Sequence, residues 1–147
     1  MLEALTILTL FGMFISILIG VIDRYALGLG LPWPEELGRF LLIWGSLLSA
    51  AVAAKRGQHF RLTLVSRHFG LAGDLVIQGA TIIALLIVVW YGAEITWIFR
   101  VQRSPALDIS MAWVYASAPV SAALMAAYVA AGLRSRLRSP VPPATEA

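Results

Sequence analysis

Side chains that commonly catalyse reactions or bind metals are scarce in this sequence, and none is spaced as a catalytic or metal-binding motif requires. The chain has no cysteine, and its two histidines, His59 and His68, lie nine positions apart in a basic segment. Two histidines that share a metal on one helix face lie four residues apart. The serines lie mostly in apolar stretches far from either histidine, so none has a neighbouring base to activate it. We predict no catalytic residue, no metal and no cofactor, and therefore no enzyme.

Charged side chains are the next candidates, because an ion buried in lipid is costly and usually marks a transport path. Glu94 alone lies partly inside an apolar stretch, since apolar residues continue beyond it. Its carboxylate could pair with Arg100, with Arg103 or with a partner chain. Pairing is favoured over proton relay because no second acid lies within the membrane. The other acidic residues and arginines near apolar stretches fall at their ends, as expected of interfacial anchors: Asp23, Arg24, Glu35, Glu36, Arg39, Asp74 and Arg100.

The elements that carry these residues are four apolar stretches. The chain is 60% hydrophobic and 13% charged, with a mean hydropathy of +0.85, whereas soluble domains are about 45–50% apolar and about 25% charged. Uncharged runs cover 5–22, 40–54, 75–93 and 109–133, near the length that spans a bilayer. We predict an all-α integral membrane protein with four transmembrane helices. Its single membrane domain covers 1–138, with spans at about 5–22, 36–54, 75–97 and 109–133, and 139–147 form a disordered proline-rich tail.

Basic residues predict the orientation of these spans. Seven of the 11 lysines and arginines fall in the loop between the second and third spans or after the fourth span, and four fall on the other side. The side with more basic residues is usually cytoplasmic, so we predict that both termini are cytoplasmic. A short interfacial segment, 59–69, would lie along the cytoplasmic surface. Lipid headgroups or a partner, and not nucleic acid, would then contact Lys55, Arg56, His59 and Arg61.

Small residues four apart recur in three of the spans, a spacing that lets helix backbones approach closely in membranes. Pro119, in the fourth span, removes the hydrogen bond to the carbonyl of Tyr115 and should bend that helix. We predict helix packing through Gly12, Ser16 and Gly20 in the first span, Gly45, Ser49 and Ala53 in the second, and Ala118, Ala122 and Ala126 in the fourth.

Three segments carry a family resemblance. The first is Leu31-Pro32-Trp33-Pro34-Glu35-Glu36-Leu37-Gly38-Arg39, followed by 40–44. The second is Lys55-Arg56-Gly57-Gln58-His59-Phe60-Arg61-Leu62, and the third is Ser104-Pro105-Ala106-Leu107 with Trp113-Val114-Tyr115 and Ala118-Pro119-Val120. Together they resemble the small, DctQ-type subunit of tripartite ATP-independent periplasmic (TRAP) transporters. Gly38 stands where that family commonly has alanine, and Thr63 where it often has an acid.

The resemblance implies a complex in the bacterial inner membrane. A larger membrane subunit would move an organic acid by an elevator motion, driven by a sodium gradient, and a periplasmic binding protein would deliver the substrate. The small subunit would be a stator for the large subunit and a docking surface for the binding protein. We expect the interface corner at Trp33, Glu35, Glu36, Arg39 and Trp44, with Glu36 and Arg39 able to pair at i, i+3 spacing.

Two other functions remain open from the sequence. A haem-bearing or other membrane anchor of a respiratory complex would use the histidines as ligands, although membrane haem ligands usually lie inside the helix bundle. A self-sufficient four-span exporter would need an acid inside the first span, which is uncharged over 5–22. The resemblance therefore favours the transporter subunit.

Overall fold

The described part of the chain consists mainly of four apolar helical spans. The structure is a computed structural model that describes residues 2–57 and 63–138, with side chains over 2–55 and 76–134. Helix α1 covers Leu2–Ile22 and continues as a π-helical turn, Asp23–Leu27; α2 covers Trp33–Gly57. Helix α3 covers Thr63–Ile98 and ends in a 3-10 turn, Phe99–Val101, whereas the fourth span consists of α4, Ala112–Tyr115, and α5, Ser117–Arg138.

Each of these spans is long and apolar enough to cross a membrane: Leu2–Leu27, Trp33–Lys55, Val76–Val101 and Ala112–Arg134. The predicted fold class, all-α with four transmembrane helices, is confirmed. Residues 58–62 and the predicted tail over 139–147 lie outside the described part of the chain, as do His59 and Arg61. The chain is already helical from Thr63, so the later part of the predicted interfacial segment is the beginning of α3.

The helices form a row and not a closed bundle. Over the described residues, α1 packs against α2, α2 packs against α4 and α5, and α5 packs against α3. Within the same residues, α1 has no packing contact with α3 or α5, and α2 has none with α3. Because α1 and α3 occupy the two ends of the row, each has a neighbour on one side and a large apolar surface on the other.

Burial follows this arrangement. The buried apolar side chains that the structure describes lie on the inner helices: Phe40, Leu48, Ala51, Val114 and Ala122. Large apolar side chains on α1 and α3 are mostly exposed, for example Phe14 and Leu86. Lipid tails are as apolar as these side chains, so hydrophobicity does not drive the helices together and close packing must do so.

Small residues provide close packing between α1 and α2. A Cβ atom added at Gly45 would lie 2.9 Å from Leu10 Cδ2, and one at Gly12 would lie 3.3 Å from Leu41 Cδ1. A Cβ atom added at Gly38 would likewise lie 3.2 Å from Ile17 Cγ1. Glycine at these positions lets the two helices approach along most of their length.

The other predicted packing residues differ in their surroundings. Ser16 and Ala122 are buried, and Ala118 and Ala126 are half-buried. A Cβ atom at Gly20 would lie 3.6 Å from Pro34 Cβ, an ordinary contact, and the half-buried Ser49 donates its hydroxyl to the carbonyl of Gly45 in its own helix. Ala53 is exposed, so any packing role for it requires a partner beyond the side chains that the structure describes.

Pro119 lies against Gly92, where α3 and α5 pack together. A Cβ atom added at Gly92 would lie 3.0 Å from Pro119 Cδ and 3.4 Å from the Pro119 backbone nitrogen. The fourth span is divided at Ala116, between the end of α4 at Tyr115 and the start of α5 at Ser117. The division lies next to the carbonyl of Tyr115, the group that proline at position 119 leaves without its helical donor.

Candidate functional site

Asp23 organises the loop between α1 and α2. Its side chain is buried and accepts the backbone N–H groups of Leu29, at 3.0 Å, and Leu31, at 2.8 Å. Gly28 and Gly30 have φ values of 65° and 67°, a left-handed conformation that glycine adopts without strain. One carboxylate thus folds residues 28–31 over the end of α1.

Glu36 also holds a loop through its carboxylate, but that loop lies 70 positions away in the sequence. Its Oε2 atom accepts the backbone N–H of Ala106 at 2.9 Å and of Leu107 at 3.0 Å, and the Ser104 side chain adds a hydrogen bond. These residues form a turn in which the N–H of Asp108 donates to the carbonyl of Ser104. Glu36 therefore attaches the beginning of α2 to the loop between α3 and α4.

The spacing of Glu36 and Arg39 would allow them to pair, but the structure does not bring their charged groups within ion-pair distance. Arg39 Nη2 instead lies 3.6 Å from Glu35 Oε1, and both of these side chains are largely exposed. Glu36 faces the loop over 104–107, where backbone N–H groups occupy its carboxylate, whereas Glu35 and Arg39 are i, i+4 neighbours on the open face of α2. The two adjacent glutamates thus have different roles, one internal and one at the surface.

Two further hydrogen bonds hold α2 to its neighbours at this end. The hydroxyl of Ser16 in α1 donates to the carbonyl of Pro34 at 2.7 Å, and both residues are buried. The indole Nε1–H of Trp44 donates to the carbonyl of Trp113 at 3.0 Å. Trp33 is half-buried at the first position of α2. Of the predicted corner residues, Glu36 and Trp44 therefore contact the region around α4.

Neither arginine near the end of α3 pairs with Glu94. Arg100 lies over the ring of Trp97, at 3.8 Å from the centroid, and Arg103 pairs with Asp108 at 3.4 Å. Glu94 is exposed and forms no ion pair with any side chain that the structure describes. If this carboxylate pairs, its partner lies beyond the described part of the chain.

The loop before α4 is held by serines. Ser110 donates its hydroxyl to the carbonyl of Arg100 and accepts the N–H of Ala112, at 2.7 Å and 3.3 Å. Asp108 has a φ of 50°, a conformation that aspartate tolerates better than most residues.

Asp23 is the residue whose role sequence reasoning missed. Its place at the end of an apolar stretch predicts an interfacial anchor. The glycines at 28 and 30, which favour left-handed turns, are the sequence signal for a folded loop beside it. Lys55 is exposed, and the side chain of Arg56 lies outside the described set. Within that set there is no cluster of metal-binding side chains.

Comparisons with known proteins match this chain to one family. The family model for the DctQ component of tripartite ATP-independent periplasmic transporters matches residues 13–139. A protein of Haemophilus influenzae that is named as a TRAP transporter small permease is 31% identical over 97 residues. That alignment covers 66% of this chain and 60% of the relative, so the chain spans less than two thirds of the curated relative's length. By the extent of the family match, this multi-pass membrane protein belongs to the DctQ family of TRAP transporter components.

Proposed function

We propose that the chain is the small, non-catalytic membrane subunit of a sodium-driven TRAP transporter for organic acids. In this role it is a stator that packs against the large membrane subunit and widens the static part of the complex. Its loop end, defined here as the end formed by residues 23–36 and 99–112, is a docking surface for the periplasmic binding protein. Family membership supports the transporter assignment; the division of labour is our inference from the structure.

The observation that carries the proposal is the row of helices with unpaired apolar faces. Within the described spans, no aspartate, glutamate, lysine, arginine or histidine lies between Glu3 and Asp23, between Arg39 and Lys55, or between residue 76 and Glu94. A transport path needs polar or charged groups near mid-depth. The described row has no charged group at that depth and no closed interior around a solute, whereas its exposed faces suit adhesion to another membrane protein.

Glu94 indicates which edge of the row meets the large subunit. It lies in α3, about two turns from the end of that span at Val101, and the two nearby arginines are engaged elsewhere. A carboxylate at this depth is stabilised by a cation, since lipid offers it none. We place a basic residue of the large subunit against Glu94, which makes the exposed face of α3 part of the interface.

Hydrogen bonding at the loop end supports the docking role. Two carboxylates hold two loops in fixed conformations, and a preorganised surface binds a partner with less loss of conformational entropy. The excess of basic residues at the opposite end favours placing the loop end in the periplasm. The same orientation places both termini in the cytoplasm.

Reconstitution into vesicles tests the proposal. The chain alone should transport no organic acid, whereas the chain with its large subunit and binding protein should transport one when a sodium gradient is imposed. Uptake by the chain alone would refute the stator role. Full uptake by the large subunit and binding protein without this chain would also refute it.

A second measurement separates the proposal from a respiratory anchor. The purified complex should show no Soret band in its visible absorption spectrum. A Soret band lost on replacing His59 or His68 with alanine would establish a haem-bearing anchor instead. Glu94→Gln should weaken copurification of the large subunit, and Glu3→Gln, at the start of α1, serves as the matched control.

A further inference from the structure

A groove of about 860 Å³ opens between α1 and α2 at the loop end. On the α1 side it is lined by Ile17, Val21 and Arg24, and on the α2 side by Arg39 and Leu42. Gly20 and Gly38 also line the groove.

The lining is polar at one end and apolar at the other. In α1 the apolar residues Ile17 and Val21 precede Arg24, whereas in α2 Arg39 precedes Leu42. Because consecutive spans are antiparallel, the two gradients run in the same direction, from the membrane interior towards the loop end. The apolar part joins the lipid-facing surface, since Ile17, Val21 and Leu42 are each about half exposed. An amphiphile with one headgroup would match this gradient.

The charges at the polar end specify the headgroup. Arg24 and Arg39 both line the groove, and Arg24 forms no ion pair within the described residues. Glu35 offsets one of these positive charges by pairing with Arg39, and the carboxylate of Asp23 is occupied by two backbone N–H groups. Asp23 keeps its negative charge because those N–H groups are neutral, so the four charged side chains of the lining sum to zero. Arg24 is the charged side chain of the lining that has no ion pair or hydrogen bond among the described residues, so its guanidinium is available to bind a phosphate. Guanidinium groups bind phosphate oxygens through strong charge-assisted hydrogen bonds.

We propose that this groove binds one phospholipid molecule. Arg24 and Arg39 hold its phosphodiester, and an acyl chain lies along Ile17, Val21 and Leu42. The lipid fills the space between α1 and α2 and forms part of the structured loop end. This inference does not depend on the proposed transport function, because it concerns a site within this chain.

Native mass spectrometry of the delipidated, purified full chain tests the proposal. After addition of phosphatidylethanolamine or phosphatidylglycerol, one lipid should be retained per chain, and diacylglycerol, which lacks the phosphodiester, should not be. The double variant Arg24→Gln and Arg39→Gln should lower retention by about tenfold or more, since it removes both charged donors to the phosphate. Arg100→Gln, whose arginine lies at the same end but outside the groove, should retain lipid as the wild type does.

Two further variants separate the parts of the site. Glu35→Gln removes the ion pair with Arg39 and leaves both guanidinium groups, so lipid should still be retained. Val21→Trp should block the acyl-chain path, whereas Val88→Trp, at a similarly exposed position on α3, should not. This pair detects loss of the site without changing any charge.

Three results would overturn the proposal. Equal retention by all variants would show ordinary annular lipid. Displacement of the lipid by inorganic phosphate would show a free-anion site. The chain has no cysteine, so Val21→Cys provides a single thiol in it; crosslinking of this thiol to the large subunit with lipid present would show that protein fills the groove.

Discussion

The α1–α2 pair and the α3–α5 pair differ in how their contact is distributed. Between α1 and α2, close approaches at Gly12, Gly38 and Gly45 extend over most of the interface, and a buried hydrogen bond from Ser16 to Pro34 adds to them. Between α3 and α5, the closest approach involving a glycine is at Gly92, against the ring of Pro119. The buried hydroxyls of Ser117 and Ser121 donate within their own segment of the chain.

This difference matters because distributed and concentrated interfaces respond differently to substitution. A close contact with a flexible side chain can relax by a rotamer change, whereas a contact with a proline ring and its backbone nitrogen cannot. We therefore expect the α3–α5 pair to be sensitive at one point and the α1–α2 pair to tolerate single changes. The predictions below test this contrast, each by the free energy of unfolding of the purified chain in detergent.

Gly92→Ala should have the largest effect. The added methyl group would lie 3.0 Å from Pro119 Cδ, and the ring cannot move without shifting α5, so we expect a loss of about 3 kcal/mol. Gly79→Ala, in the same helix with open space around the position, is the matched control and should not destabilise the chain. Equal effects of the two substitutions would mean that Gly92 is not a packing point.

Asp23→Ala should rank second, because it acts on the loop that closes the α1–α2 pair. Two backbone N–H groups lose their acceptor, and we expect a cost of about 2 kcal/mol. Asp23→Asn retains one acceptor oxygen and should cost roughly half as much. Faster proteolysis within residues 28–31 of the alanine variant would locate the effect; unchanged stability would show that water replaces the carboxylate without cost.

Glu36→Ala should weaken the attachment between the two pairs. The loop over 104–107 loses the carboxylate that accepts from Ala106 and Leu107, at a cost of about 1.5 kcal/mol for a half-buried charged acceptor. Glu35→Ala removes only an exposed ion pair and should cost less than about 0.5 kcal/mol. Since the two glutamates are adjacent in sequence, similar losses from both would contradict the separate roles assigned to them.

Gly45→Ala should have the smallest effect of the destabilising substitutions. Its new Cβ would lie 2.9 Å from Leu10 Cδ2, but that methyl group is the end of a flexible side chain and can move, so we expect about 1 kcal/mol or less. A loss as large as that of Gly92→Ala would remove the proposed contrast between the pairs.

Much of the fold could be predicted from the sequence, because the length and polarity of a span are local properties. Four uncharged runs predict four membrane spans, and the described residues form four helical spans at those places. The roles of individual acids were harder to predict. Glu35 and Glu36 are indistinguishable by local rules, and their difference arises from the loop around Ala106, 70 positions away from Glu36.

Bilayer insertion and the number of spans follow from the sequence by itself, because transfer of apolar residues into lipid depends on each segment and not on its neighbours. Only the tertiary structure decided that the helices form a row, that Glu36 holds a distant loop, and that Gly92 meets Pro119. In lipid the hydrophobic effect does not choose between helix neighbours. That choice depends on shape and hydrogen bonds between residues far apart in the chain, which spacing along the sequence does not specify.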